Sequence, residues 1–392
     1  MLIVAIMVGL LIAIGIWEYQ LHLRNLRKIP VRVHVNGTRG KSSVTRLIAA
    51  GLRAGGIVTC AKTTGSRPRM ILEDGSEYAI QRQGRANVLE QLRAVAVAAR
   101  RGAKAVVVEC MALSPALQQL SERKMVHSSV GIITNIRADH LDVMGPTVVD
   151  AAKAMAGTVP RAGPMLTAEN DPELLGILQQ AVARNGVELI ICTPDDQNIT
   201  EEIMRNFSYI EHPENVAMAV KCCSIAGIDR EKALEGMYQA EPDIGALIIM
   251  RLAFFAKNID FVNAFAANDP DSTKLIWKRV DGLFPGERNR VALLNCRSDR
   301  AARSAQLGSV LSQLEGMNIA LLTGSGTRVA LEAALKAGLH TEKIIVMENP
   351  RPEDVFERVI AQIKKNGTVF GMGNIGSGGS AIVEYFQNRA VH

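Results

Sequence analysis

Short runs of β-branched and aliphatic residues, each followed by a stretch of helical periodicity, recur along most of the chain. This alternation limits the folds open to it more than any other feature. Apolar runs at 32–36 (RVHVN), 57–61, 105–109 (AVVVE), 130–134 (VGIIT) and 188–192 alternate with helical stretches at 42–54, 87–101, 147–157, 172–184 and 214–226. Strands that are apolar on both faces need helices on both sides, so the expectation is an α/β fold built on a largely parallel sheet. A second series, VALLNC (291–296), IALLTG (319–324), KIIVME (343–348) and TVFGMG (368–373), repeats roughly every 25 residues, the length of a βα unit, and predicts a second, Rossmann-like sheet. EPDIG at 241–245, with Pro, Gly and two acids between a helix and an apolar run, is the expected seam. A chain of 392 residues is long enough for two such cores.

Residues 1–17, MLIVAIMVGLLIAIGIW, carry no charge and as a helix would extend about 26 Å, with Tyr19 and Leu21 able to lengthen the span. Arg24, Arg27, Lys28 and Arg32 follow, and no basic side chain precedes. That asymmetry predicts a single-pass cell-membrane anchor with the rest of the chain on the cytoplasmic side. A cleaved signal peptide is the rival, but a basic n-region and a clear small-residue cleavage site are missing. Six cysteines (60, 110, 192, 222, 223, 296) show no CxxC spacing and read as reduced core thiols. The net charge of +6 is modest, and without a binding motif or aromatic stacking repeat no nucleic-acid partner is expected. Basic residues do concentrate at 62–69 (KTTGSRPR), Arg82, Arg85 and Arg93. They fit either ordinary solvated surface or a track for an acidic substrate.

VHVNGTRGKSS (33–43) passes from an apolar strand through a glycine-rich turn into a helix. Gly40, Lys41 and Ser42 match the end of the G-x-x-x-x-G-K-[ST] phosphate loop, while Val35 occupies its first glycine position and Gly37 comes early. Turn amides from Gly37, Thr38, Arg39, Gly40 and Ser43 would cradle phosphate oxygens, Lys41 would neutralise them, and the Ser42 hydroxyl would ligate Mg²⁺. ATP and Mg²⁺ are therefore the expected cofactors. Glu109 closes the run KAVVVE, where a carboxylate can hold Mg²⁺ directly or through water. In TNIRADHLD (134–142), Asp139, His140 and Asp142 lie just past an apolar run, at the strand end where open α/β sheets bind ligands. The predicted organisation is an anchor (1–22), a P-loop-containing central domain (23–240) and a C-terminal Rossmann-like domain (241–392).

Taken together, G-T-R-G-K-S after a strand, a strand-end Glu and T-N-I-x-x-D-H-L-D resemble the Mur ligase superfamily, whose members join a carboxylate to an amine at the expense of ATP and include folylpolyglutamate synthases. AENDP (168–172), HPENVAMA (212–219) and VNAFAANDPDS (262–272) match in order. With the anchor, VVVECMAL (106–113) and GMGNIG (371–376), the chain looks most like the membrane-bound ligase subunits of bacterial poly-γ-glutamate synthases. The resemblance implies glutamate and poly-γ-glutamate as substrate and product, with other membrane subunits as partners. It also implies Mg²⁺ roles for Ser42, Glu109 and His140, and an adenine contact for Asn215, although Met218 stands where a second asparagine is usual. Lys153 is the candidate for a carbamylated metal-binding lysine, its alternative being a solvated lysine on an amphipathic helix. Asn263 and Phe265 replace the usual Asp and Tyr, with Asn268 and Asp269 following. Arg297, with Asp299 and Arg300, either closes over the phosphates or opens a charged helix.

A carboxylate reacts with an amine only after activation, and γ-phosphoryl transfer supplies an acyl phosphate that the amine displaces. Lys41 and His140 are the expected catalytic side chains, with Lys153 if carbamylated. Two rivals are a membrane-tethered NTPase powering transport or assembly, and a dinucleotide-binding protein prompted by Gly371, Gly373 and Gly376. The NTPase leaves DHLD and the second domain unexplained. The dinucleotide reading lacks a following strand with a ribose-binding acid.

Overall fold

The computed structural model describes all residues except 65–67, 83–86, 208, 210, 243–247, 266–268, 285, 377 and 392. The chain divides into two compact units, Met1–Asp243 and Ile244–His392. The seam expected at 241–245 falls partly outside the described residues, as do Arg85 and Asn268.

The first unit opens with α1 (Leu2–Lys28), whose most apolar 18-residue window has a mean hydropathy of 2.3 and is not buried at all. It is long and apolar enough to cross a membrane. Only its last turns join the fold: Leu26 is buried and His22 Nε2 lies 2.9 Å from the Met125 carbonyl. The sheet that follows contains β1 (Val31–Asn36), β2 (Thr59–Lys62), β3 (Arg69–Ile71), β4 (Glu77–Ala79), β5 (Ala105–Glu109), β6 (Val130–Ile133), β7 (Met165–Thr167) and β8 (Leu189–Ile191), in the order β4-β3-β2-β5-β1-β6-β7-β8. All neighbours are parallel except the β2–β3 and β3–β4 pairs. The helices are α2 (Lys41–Ala54), α3 (Glu90–Arg100), α4 (Pro115–Leu120), α5 (Leu141–Met144), α6 (Val148–Met155), α7 (Pro172–Asn185), α8 (Glu201–Arg205), α9 (Pro213–Ile225) and α10 (Arg230–Tyr238). A π-helical turn, Ser121–Val126, extends α4.

Central β1 is apolar at Val33 and Val35, and its connection to α2 is the phosphate loop. Nearly every side chain of α2 from Val44 to Leu52 is buried, because α9 and α10 cover the helix on the side away from the sheet. Close approach needs small residues there: a Cβ on Gly51 would meet Cys223 Sγ at 2.8 Å, and one on Gly236 the Ala50 carbonyl at 2.5 Å. Val44, Leu47, Ile48 and Leu52 are fully enclosed, each contributing about 1.5–3 kcal/mol by burial. All six cysteines are buried and unpaired, as core thiols.

The second unit holds β9 (Ile248–Phe254), β10 (Lys257–Asn263), β11 (Asn289–Cys296), β12 (Ile319–Gly324), β13 (Ile344–Val346) and β14 (Asn366–Gly373) in the order β13-β12-β11-β14-β10-β9, parallel except for the β9–β10 hairpin. Helices α11 (Pro270–Leu283), α12 (Ala301–Val310), α13 (Thr327–Lys336), α14 (Pro352–Gln362) and α15 (Gly379–Gln387) cover it. An aromatic core of Phe261, Phe265, Phe356 and Phe386 packs α14 and α15 onto one face.

Candidate active site

The turn after β1 is held from below by Asn36, whose Oδ1 accepts the Gly37 N–H at 2.8 Å while its amide nitrogen donates to Gln118 Oε1 and Thr158 Oγ1. Gly37 sits at φ +129°, and a Cβ there would lie 2.0 Å from Thr134 Oγ1, so only glycine fits. From the neighbouring strand end, the TNIR segment fastens the loop. Thr38 N–H donates to the Asn135 carbonyl (2.9 Å), Arg39 N–H to Asn135 Oδ1 (3.1 Å), Thr134 Oγ1 to the Arg39 carbonyl (2.6 Å), and Arg137 N–H to Thr38 Oγ1 (2.9 Å). Gly40, at φ +79°, caps α2, whose first turn presents Lys41, Ser42 and Ser43. Lys41 bends back so that Nζ donates to the Gly37 and Thr38 carbonyls at 2.7 and 3.0 Å. Burial pushes its pKa down, against the pull of Glu109.

Parallel pairing sets Val35 opposite Glu109 and so brings the end of β5 to the mouth of the loop. Glu109, 3% exposed, accepts the Ser42 hydroxyl at 2.8 Å and the Thr64 N–H at 2.7 Å on one oxygen, Oε2. A serine hydroxyl and a carboxylate beside a helix N-terminus form a hard-oxygen donor set suited to Mg²⁺. Among the described residues no three His, Cys, Asp or Glu side chains converge as an all-protein cage. Phosphate oxygens and water would complete the shell of such an ion.

Asp139 reaches the loop through a 3.4 Å ion pair with Arg39 and also accepts the His140 N–H. His140 adopts φ +49° as the residue preceding α5, with its imidazole a third exposed and Nε2 3.9 Å from Asp139 Oδ1. Lys153 lies on the face of α6 opposite the buried Ala151, Ala152, Ala154 and Met155; it is 63% exposed and pairs with Asp150 at 3.7 Å. Asn215, buried in the first turn of α9, packs its amide against Gly40.

Two anchoring carboxylates were not singled out from the sequence, although one lies in a quoted motif. Glu169, within AENDP, is fully buried and accepts the N–H groups of Ile136 (2.7 Å), Asn170 (3.0 Å) and Asp171 (3.1 Å), together with Arg137 Nη1 at 2.9 Å. Burial opposes its charge, yet these donors hold its pKa below the ordinary value. Glu211, also buried, accepts from His212 N–H and the Asn215 amide at 2.8 and 2.9 Å. In the second unit, Arg297 forks onto Asp299 at 2.9 and 2.6 Å, with Nη1 against Gly376. Phe265 is 1% exposed in the aromatic core, and Asp269 caps α11 through Ser272 N–H at 2.9 Å. A Cβ on Gly371 would meet the Phe265 ring at 2.7 Å, and one on Gly373 the Asn295 carbonyl at 2.6 Å, so close packing accounts for these glycines.

The family model described as the Mur ligase middle domain matches residues 35–241, and that of the poly-gamma-glutamate synthase CapB C-terminal domain matches 249–389. The capsule biosynthesis protein CapB of Bacillus anthracis is 35% identical over 391 residues, 99% of this chain and 83% of that protein. The PGA synthase CapB of Bacillus subtilis (strain 168) is 35% identical over 379 residues, 96% and 95% of the two chains. Among solved structures, a Mycobacterium tuberculosis folylpolyglutamate synthase complexed with ADP and AMPPCP superposes with a TM-score of 0.69 at 16% identity, over 94% of this chain and 93% of the other. A Thermotoga maritima folylpolyglutamate synthase gives 0.63 at 13%, over 96% and 94%. At those identities the likeness is one of fold. With a Mur ligase middle domain, a CapB C-terminal domain and 35% identity along nearly its whole length, the chain belongs to the CapB family of poly-γ-glutamate synthases.

Proposed function

We propose that this protein is an ATP-dependent amide ligase that joins glutamate through its γ-carboxyl group into poly-γ-glutamate. The observation that carries the site is the Ser42–Glu109 pair at the mouth of a loop over which Lys41 is folded. ATP would lay its phosphates across the amides of Gly37, Thr38, Arg39, Gly40 and Ser43, and Lys41 would exchange its two neutral carbonyl partners for phosphate oxygens. Ser42 and Glu109 would hold Mg²⁺, with His140 at the edge of the same site. When bound, the metal ion would offset charge on the transferred phosphoryl group. The substrate γ-carboxylate takes the γ-phosphoryl group, releasing ADP. The incoming amine, as its neutral form, then attacks the acyl carbon, the phosphate departs with the C–O bonding electrons, and the amine nitrogen gives up a proton to the departing phosphate or water. Lys41 serves the first step electrostatically, and Asn215 holds the nucleoside end.

Lys153, if carbamylated, is the proposed acidic ligand for a second Mg²⁺. Arg297 is a proposed anion-binding side chain of the second unit, which would leave Asp299 for a phosphate or carboxylate when ligands bind. The proposed placement is a single pass of the membrane by α1, with both units on the cytoplasmic side beside Arg24, Arg27 and Lys28. Other membrane subunits are proposed partners for elongation or export. The deciding experiment measures ADP and phosphate release by membranes carrying the protein, with and without glutamate, beside Lys41→Ala. Glutamate-dependent release with a γ-linked product, reduced at least about a hundredfold in the variant, is expected. Equal release without glutamate and without a new amide would turn the reading towards a tethered NTPase, and AMP with pyrophosphate would overturn the acyl-phosphate route.

A further inference from the structure

The basic residues that fit either solvated surface or a track for an acidic substrate divide in the structure. Arg69 pairs with Glu77 at 3.5 Å and Arg93 is exposed, whereas Lys62 is fully buried and the Arg82 side chain is 18% exposed. Lys62, the last residue of β2, pairs with Val108 of β5, whose next residue is Glu109. Among the described residues its three N–H groups meet Glu90 Oε2 at 3.4 Å and the Met111 sulfur at 3.4 Å, and a thioether is a weak acceptor. Burial pushes its pKa down, against the pull of Glu90 and Glu109. Arg82 forks onto the two oxygens of Glu90 at 2.7 and 3.0 Å and extends Nη2 to Thr64 Oγ1 at 3.4 Å. The Thr64 N–H in turn donates to Glu109 at 2.7 Å, so both cations adjoin the proposed metal pair.

A buried ammonium is costly unless paired and hydrogen-bonded, and this one has donors to spare. In the free site the charges of Lys62 and Arg82 are matched by Glu90 and Glu109. Once Glu109 turns its charge to a metal ion, the two cations share Glu90 alone, and one further anion restores the balance. A γ-linked glutamyl chain offers such an anion at every residue, because the linkage leaves each α-carboxylate free. We infer that Lys62 and Arg82 bind the α-carboxylate of the glutamyl residue being activated, and so turn its γ-carboxylate towards Ser42, Glu109 and the phosphate loop. This rests on the ligase reading above. Glu90 is the positioning residue that holds the two cations together. The subsite reads charge: an α-amide has nearly the same shape but presents N–H groups, which have no acceptor on a lysine or an arginine.

The test traps the acyl phosphate with hydroxylamine, whose nitrogen displaces phosphate from the acyl carbon to leave a γ-hydroxamate. Full-length protein in membranes is given ATP with glutamate or γ-glutamylglutamate, each supplied with the α-carboxylate of its terminal residue free and as the α-amide. For whichever pair is activated, the wild type is expected to prefer the free acid by at least about tenfold in kcat/KM. Lys62→Met and Arg82→Gln, which each leave Glu90 one cation, are expected to compress that preference to about threefold or less. The compression comes from loss of activity on the acid, with the amide turned over much as before. A cation that only supports the fold would lower acid and amide by the same factor. That outcome, or equal use of acid and amide by the wild type, would overturn the inference. If Lys62→Met does not fold, Arg82→Gln must show the compression alone. Absence of hydroxamate from the folded wild type with every substrate would instead remove the ligase reading beneath it.

Discussion

The Ser42–Glu109 hydrogen bond joins residues 67 positions apart, and each is legible in the sequence for a different reason. Ser42 belongs to a local motif, whereas Glu109 ends an apolar strand like many other acids. Only the β1–β5 register makes it a neighbour of the loop. With the carboxylate replaced by an amide, Glu109→Gln should raise the Mg²⁺ concentration needed for half-maximal activity by about tenfold to a hundredfold, read from a metal titration at saturating ATP. An unchanged metal requirement would remove Glu109 from the metal set. Gly37 makes a sharper steric prediction. Alanine at φ +129° would drive its methyl group into Thr134 Oγ1, so Gly37→Ala should destabilise by at least about 2 kcal/mol in urea unfolding and abolish nucleotide binding.

At the level of elements, the strands that escape sequence reading are short or lack a turn signal. β3 and β7 have three residues each, and the β9–β10 hairpin turns at Phe255–Ala256, with Phe255 at φ +52°, where Asn-Gly would have announced it. The segment after β6 was legible as a D-H-x-D cluster, but not as the brace of the phosphate loop. That brace depends on Glu169, which gathers the Ile136 N–H and Arg137 from 33 and 32 residues away together with the adjacent Asn170 and Asp171 N–H groups. Glu169→Ala strands these donors and should cost about 2–4 kcal/mol. Nucleotide affinity should fall in the same variant, because the TNIR turn that fastens Thr38 and Arg39 loses its anchor. Loss of stability with unchanged affinity, measured by denaturant unfolding and calorimetry, would separate the brace from the site.

Across the whole first unit, central β1 carries a charge buried in the sheet. His34 is fully buried, with Nδ1 2.8 Å from Glu122 Oε2, and the other Glu122 oxygen accepts Ser128 N–H and Oγ at 2.9 Å each. Burial works to discharge the imidazolium, but Cys110 and Glu122 outweigh it and push the pKa up to about 10. The folded chain then holds a proton that the unfolded chain releases near pH 6.5. The stabilisation is fully present below about pH 6.5 and is lost as pH rises through about 10. Unfolding midpoints should therefore fall across that window, and His34→Gln should flatten the slope; an identical slope in the variant would rule out this group. The alternation of apolar runs and helices, the apolar N-terminal helix and the phosphate loop were determined by the sequence alone, because each depends on residues within a few turns of one another. Tertiary structure decided that β1 lies between β5 and β6, which brings Glu109 to one side of the loop and TNIR to the other. It also decided that Lys153 faces solvent and that Asn215 meets Gly40. Those outcomes depend on strand order, register and buried hydrogen bonds between distant residues, which local periodicity does not encode.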